Sequence, residues 1–182
     1  MQAIRLPAAS AAFTIIELAI AMAVAATLFA LAAPSYSRYI AEQRLLNEAR
    51  RLSEAIMLAR SEAVKRNRHV VICATTAVTP CGDTGYWHGG WVIFEDEDGD
   101  AEPDPGEPSM LTEPAASEGV TMRGNRPVQD YLRFDYIGQP RMASGALQMG
   151  TIEVCRPGLR GWRVVLANTG RTRLDRTPGA CT

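Results

Sequence analysis

A chain of 182 residues, 47% hydrophobic and 21% charged, carries enough apolar content for one packed domain and excludes a disordered or low-complexity protein. Its formal net charge of -1 excludes a uniformly basic nucleic-acid binder, although residues 95–118 hold ten acids and no Lys or Arg while residues 151–182 hold six Arg against Glu153 and Asp175. Two His, one Lys (Lys65) and four Cys, with no phosphate-binding glycine loop, HExxH or GxSxG, point away from an enzyme and to no cofactor.

In chain order, the first element is the apolar run at residues 13–33, FTIIELAIAMAVAATLFALAA, whose only charge is Glu17. At about 1.5 Å rise per residue it reaches roughly 30 Å, the hydrocarbon thickness of a bilayer, which predicts a transmembrane helix. The core of a secretory signal is shorter, about 7 to 15 residues, and comes before its small-residue cleavage site. Here Ala11 and Ala12 come ahead of the run, so a cut there leaves the span attached. An acid inside such a span is costly and marks a functional position. Pro34 ends or kinks the span, and a helical pattern then continues over residues 34–67. Leu45, Ala49, Leu52, Ile56, Ala59 and Ala63 line one face of it; Arg50, Arg51 and Glu54 take the other, with Glu62 and Arg66 paired at i, i+4.

Over residues 68–182 the period becomes strand-like. Residues 69–74, 89–96, 119–123, 131–138, 151–155 and 162–167 are short, rich in β-branched and aromatic residues, and separated by Gly, Pro and Asn. One long helix followed by many strands predicts an α+β fold, the helix packed on an antiparallel β-sheet domain. The Pro-rich residues 103–114 read as a long loop within it. Trp87, Trp91 and Trp162 are expected in the core or at its rim. His69 and His88 lack ligand-spaced partners and read as structural.

The 12-residue leader ending in a small residue, followed by Phe13-Thr14-Ile15-Ile16-Glu17-Leu18, resembles the processing signal of type IV pilins and pseudopilins. The GGW entry at residues 89–91 into an acidic turn, the later Leu132, Phe134 and Gly138, and the terminal TGRTR at residues 169–173 resemble the GspH/FimT group of minor pilins and pseudopilins. The resemblance implies a prepilin peptidase that cuts between Ala12 and Phe13 and methylates Phe13. It also implies Glu17 as the acid that engages a neighbouring subunit during assembly. Ala12 stands where that family usually has Gly. The implied partners are other major and minor pilins, the peptidase and the inner membrane, with the globular domain periplasmic and later on the pilus, near its tip.

Cys73 and Cys81 lie eight apart around a turn, and Cys155 and Cys181 bracket the last hairpin; neither spacing suits zinc. Outside the inner membrane the four read as two disulfides. Sequential pairing is favoured because each pair closes a local turn, worth roughly 2.6 and 3.6 kcal/mol in chain-entropy terms, with the two other connectivities and free thiols as alternatives. Asp96, Asp98, Asp100 and Glu107 occupy positions 1, 3, 5 and 12 of a calcium loop. Ala101 and Pro103 stand at positions 6 and 8, and strands flank the loop, so a solvated loop is the main expectation and calcium the alternative.

Arg171 and Arg173 alternate after Gly170, so on an extended strand they share a side; Arg160, Arg163 and Arg176 lie nearby. Guanidinium forks suit phosphate oxygens, and a charged strand edge that deters pairing is the bland alternative. Members of the FimT-like group bind DNA for uptake in natural transformation through a C-terminal Gly-Arg-x-Arg motif, which residues 170–173 match. The resemblance therefore implies non-specific binding of double-stranded DNA, with three phosphate contacts giving a salt slope near -2.7 and about a 40-fold loss on a fourfold salt increase. The other function it implies is a structural subunit without ligand that primes a type IV pilus or a type II secretion pseudopilus.

Overall fold

The computed structural model describes residues 14–76, 81–82 and 85–181; the expected processing site, Ala12 and Phe13, lies outside them. The chain divides into two compact units, residues 1–40 and 41–182. Helix α1 runs over Ile15–Arg66. Thr14 caps its start through a Thr-x-x-Glu box: the Thr14 amide and hydroxyl both donate to Glu17 Oε2 at 3.0 Å, and the Glu17 amide donates to Thr14 Oγ1 at 3.3 Å. Its end is a Schellman turn. Asn67 takes the left-handed conformation (φ 56°), and Arg68 N–H reaches Ala63 O at 3.2 Å.

In the second unit α1 packs on an antiparallel β domain, as the α+β expectation has it. Strands β1 (His69–Ala74), β2 (Trp91–Asp96), β3 (Ser109–Glu113) and β5 (Tyr131–Phe134) form one sheet in the order β3-β2-β1-β5. Strands β4 (Thr121–Gly124), β6 (Gly150–Cys155), β7 (Arg160–Leu166) and β8 (Thr172–Ala180) form another in the order β4-β6-β7-β8. Leu45, Ala49, Leu52, Ile56, Ala59 and Ala63 are fully buried against the inner faces of both sheets, including Ile72, Trp91, Phe134, Met122, Ile152 and Val164. This one apolar stripe is what holds the helix to the domain.

Three strand expectations change. The loop expected over 103–114 contains β3, a short edge strand between Pro108 and Pro114, where proline costs no ladder hydrogen bond. The strand expected over 131–138 stops at Phe134, because Asp135 Oδ1 accepts the amides of Ile137 and Gln139 (3.1 and 2.8 Å) and turns the chain. The extended segment after Gly170 becomes a nine-residue strand, β8, which continues to Ala180.

The polar side of α1 is also less exposed than its charges suggest. Arg51 lies 4.7 Å over the Trp91 ring, donates to Pro114 O (3.0 Å) and pairs with Glu48 (3.3 Å). Glu48 is buried and accepts the Ser117 amide and hydroxyl at 2.9 and 2.6 Å. A second small core covers the outer face of the first sheet, where Val71, Cys73, Val92 and Phe94 meet Ala101.

Candidate functional site

Within the helix, the described residues before the domain keep their large apolar side chains exposed, from 53% at Val24 to 89% at Ile15. Among the described residues no single helix is long and apolar enough to cross a membrane; Ile15–Leu31 and Ser35–Arg66 reach that length and composition only when taken together. Glu17 is the one acid of the run, and its carboxylate is satisfied by Thr14. The capping box explains an acid at this position without any partner, and its Thr-x-x-Glu spacing was readable from sequence but masked by the membrane pattern.

The five candidate arginines of the C-terminal region differ in their partners. Arg171 is exposed in the β7–β8 turn, closed by Ala167 N–H to Arg171 O (2.9 Å), and among the described residues its side chain has no protein partner. Arg173, on β8, pairs with Asp175 at 2.9 Å. Arg163 pairs with Glu153 at 3.0 Å. Arg160 donates twice to Thr177 O (3.2 and 2.9 Å), while Arg176 stacks 4.1 Å over Trp162 and donates to Arg160 O (3.2 Å). Arg171 and Arg173 thus share the extended end of the hairpin, but an acid two residues on neutralises the second of them.

Gly170 has a structural duty of its own. Its φ is +77°, and a Cβ there would stand 2.5 Å from Gly138 O and 2.8 Å from Arg60 Nε. Arg60 Nε donates to the same Gly138 carbonyl at 2.9 Å, so α1, the turn after β5 and the β7–β8 turn meet at one point.

The acidic loop is tied down. Asp96 is fully buried, pairs with Arg133 at 2.8 Å and accepts Gly99 N–H at 2.9 Å. Glu107 accepts the amides of Glu97 (2.8 Å) and Asp104 (3.0 Å); Asp98 and Asp100 accept those of Asp100 and Glu102. The four calcium positions do not form one ring of ligands: Asp96, Asp98 and Glu107 make one group and Asp98, Asp100 and Asp104 another. Ala101 at position 6 does adopt a positive φ (69°), yet its side chain is buried in the small outer core.

The structure joins Cys73 to Cys81 and Cys155 to Cys181, with Cα separations of 5.2 and 5.7 Å. Trp87 and Trp91 are core residues, and Trp87 Nε1 donates to Val128 O at 3.1 Å. Burial, then the Arg133 charge, holds the His69 imidazole below the ordinary histidine value against Asp96 and Asp135. His88 Nδ1 accepts Met122 N–H at 3.4 Å. Gln148 is fully buried and fully used: its amide donates to Pro127 O and Tyr131 O, and its carbonyl accepts Arg133 N–H. Nothing in its sequence neighbourhood signals that role.

A family model described as type II transport protein GspH matches residues 48–170, more than half of the chain. The chain belongs to the GspH family of minor pilins and pseudopilins. No curated protein matches. Among solved structures, the type IV minor pilin FimU of Pseudomonas aeruginosa PAO1 is similar at 17% identity and a TM-score of 0.57, over 79% of this chain and 99% of that one. The minor pseudopilin EpsH from the Type 2 Secretion System of Vibrio cholerae is similar at 13% identity and a TM-score of 0.50, over 75% and 99%. At these identities the two likenesses establish the fold. Membership of the GspH family implies assembly with other pilins in a filament. The family match ends at Gly170 and so does not reach Arg171 or Arg173.

Proposed function

We propose that this GspH-family chain is a structural minor pilin of a type IV pilus or type II secretion filament. In this reading a prepilin anchored in the inner membrane is cut between Ala12 and Phe13 and enters the filament through residues 13–33, with Glu17 as the assembly acid. The domain of residues 68–182 is periplasmic before assembly. The observation that carries the reading is the division of α1: its later half buries Leu45 to Ala63 in the domain, while the apolar residues from Ile15 to Leu31 stay uncovered. Such a surface is stable only in lipid or among other helices.

Glu17→Gln separates capping from assembly, because glutamine serves a capping box nearly as well but brings no charge. The variant should remain in the membrane fraction with wild-type helix content and lose cross-linking to partner pilins by tenfold or more. Wild-type cross-linking would remove Glu17 from the assembly role, and a mature N-terminus other than Phe13 would remove the processing site.

A second reading, DNA capture, is favoured by Arg171, exposed at the hairpin tip without a protein partner among the described residues. With Arg163 and Arg173 compensated by acids, one or two phosphate contacts replace the three expected from sequence. Affinity for duplex DNA should then fall only about 3- to 12-fold on a fourfold salt increase, and Arg171→Ala with Arg173→Ala should abolish it. Binding by that double variant equal to wild type, read by fluorescence anisotropy, would exclude the hairpin.

A further inference from the structure

The outer face of the second sheet holds a built feature to which the proposed function assigns no role. Strand register places Arg123 of β4 opposite Glu153 of β6, Glu153 opposite Arg163 of β7, and Arg163 opposite Asp175 of β8. This row crosses a groove of about 570 Å³ lined by Tyr86, Thr121, Arg123, Glu153, Arg163 and the segment 177–181. One wall is Tyr86, bridged to the edge of β4; its ring lies 4.8 Å from the Arg123 guanidinium, and its hydroxyl accepts from Arg123 NH2. The other wall is pinned from two sides. The Cys155–Cys181 disulfide ties it to β6, and Thr177 Oγ1 accepts Gly161 N–H at 2.8 Å where the β7–β8 register slips.

Charge within the groove does not cancel. Asp175 is taken by Arg173, and Glu153 receives only Arg163 Nε. Among the described residues two guanidinium groups therefore line the groove against one carboxylate, for a side-chain balance of +1, and each has further N–H donors with no protein partner. Their strands lie about 9.6 Å apart, two inter-strand spacings, close enough for two arginine side chains to converge on one anion. A polyphosphate backbone would bring several negative charges against Glu153 and Asp175. A single carboxylate matches the balance.

We propose that this groove is a binding site for one carboxylate carried by a peptide segment, held between Arg123 and Arg163 with its chain lying along Tyr86 and residues 177–181. The volume is far larger than one carboxylate and lies in the range that holds a ligand of a few residues. The polar floor of Thr121, Glu153 and the two arginines suits a peptide better than an apolar ligand. The carboxylate has two sources, an Asp or Glu side chain or a chain terminus, and both offer the same two oxygens.

The test uses the full chain in detergent micelles and follows the Arg Nε–Hε signals by NMR. The probes are acetyl-Ala-Glu-Ala-amide, acetyl-Ala-Ala-Ala with a free terminus, acetyl-Ala-Gln-Ala-amide and a 12-nucleotide oligothymidylate. At least one of the two acid peptides should shift the Arg123 and Arg163 signals saturably at millimolar concentration, and which one does so assigns the source. The Gln peptide should leave them in place. Arg123→Gln with Arg163→Gln, which lacks those two signals and is followed instead by the backbone amides of Thr177, Gly179 and Cys181 lining the groove, should weaken acid-peptide binding at least tenfold. Glu153→Gln, which raises the balance to +2, should strengthen it threefold or more, a gain that damaged folding cannot mimic. Equal shifts from the Gln and acid peptides, no shift up to 20 mM, tighter binding of the oligonucleotide than of either peptide, or weaker binding by Glu153→Gln would each overturn the assignment.

Discussion

Gly170 can be replaced only at a cost, because its left-handed φ and its approach to Gly138 O both require the missing side chain. Gly170→Ala should lower stability by about 1–3 kcal/mol, read as a drop in Tm with the two-state transition retained. An unchanged Tm would show that the β7–β8 turn relaxes away from Gly138 freely. The glycine of the Gly-Arg-x-Arg pattern thus has a folding reason for being there, and only the arginines after it are open to a binding role. Arg171 and Arg173 look equivalent as letters. They are not equivalent in space, since Asp175 takes one and leaves the other.

Among the elements, the β2–β3 connection departs most from its sequence appearance. A run of acids reads as solvated, yet Asp96 is fully buried on the Arg133 side chain and Ala101 closes the small outer core. Asp96→Ala would leave Arg133, only 10% exposed at its side chain, without its counter-charge, for an expected loss of about 3–5 kcal/mol in denaturant unfolding. A loss under 1 kcal/mol would mean that Arg133 reaches water or a replacement acid. β3 escaped detection because its Ser-Met-Leu-Thr-Glu is short, lies between prolines and alternates only weakly. Its pairing with β2 makes it a strand. By contrast, the later part of α1 was plain, since six buried positions repeat at helical spacing and a single stripe meets a single core.

At the level of the whole molecule, the compact unit of residues 41–182 contains both sheets, both disulfides and the helix stripe that covers them. Expressed alone in an oxidising compartment, it should be soluble and melt cooperatively, while the full chain with its exposed apolar run should need detergent. Aggregation of the 41–182 fragment with non-cooperative melting would show that residues before Ala41 complete the core. The near-zero net charge likewise hides structure: the acids of the β2–β3 connection and the arginines of the last hairpin belong to different sheets, and among the described residues only some of each set are paired, Asp96 with Arg133, Arg163 with Glu153 and Arg173 with Asp175.

The periodic part of the molecule was determined by the sequence alone: the apolar run with Glu17, the amphipathic half of α1, and most of the strands. These follow from local spacing, and local spacing is a property of the letters. The choice among three disulfide connectivities, the burial of Glu48, Asp96 and Gln148, and the sorting of five arginines into paired and unpaired were decided only by the tertiary structure. Each depends on which residues from distant parts of the chain meet, as Gln148 meets Pro127, Tyr131 and Arg133. Sheet register sets those meetings, and a shift of one residue would move every side chain of a strand to its other face.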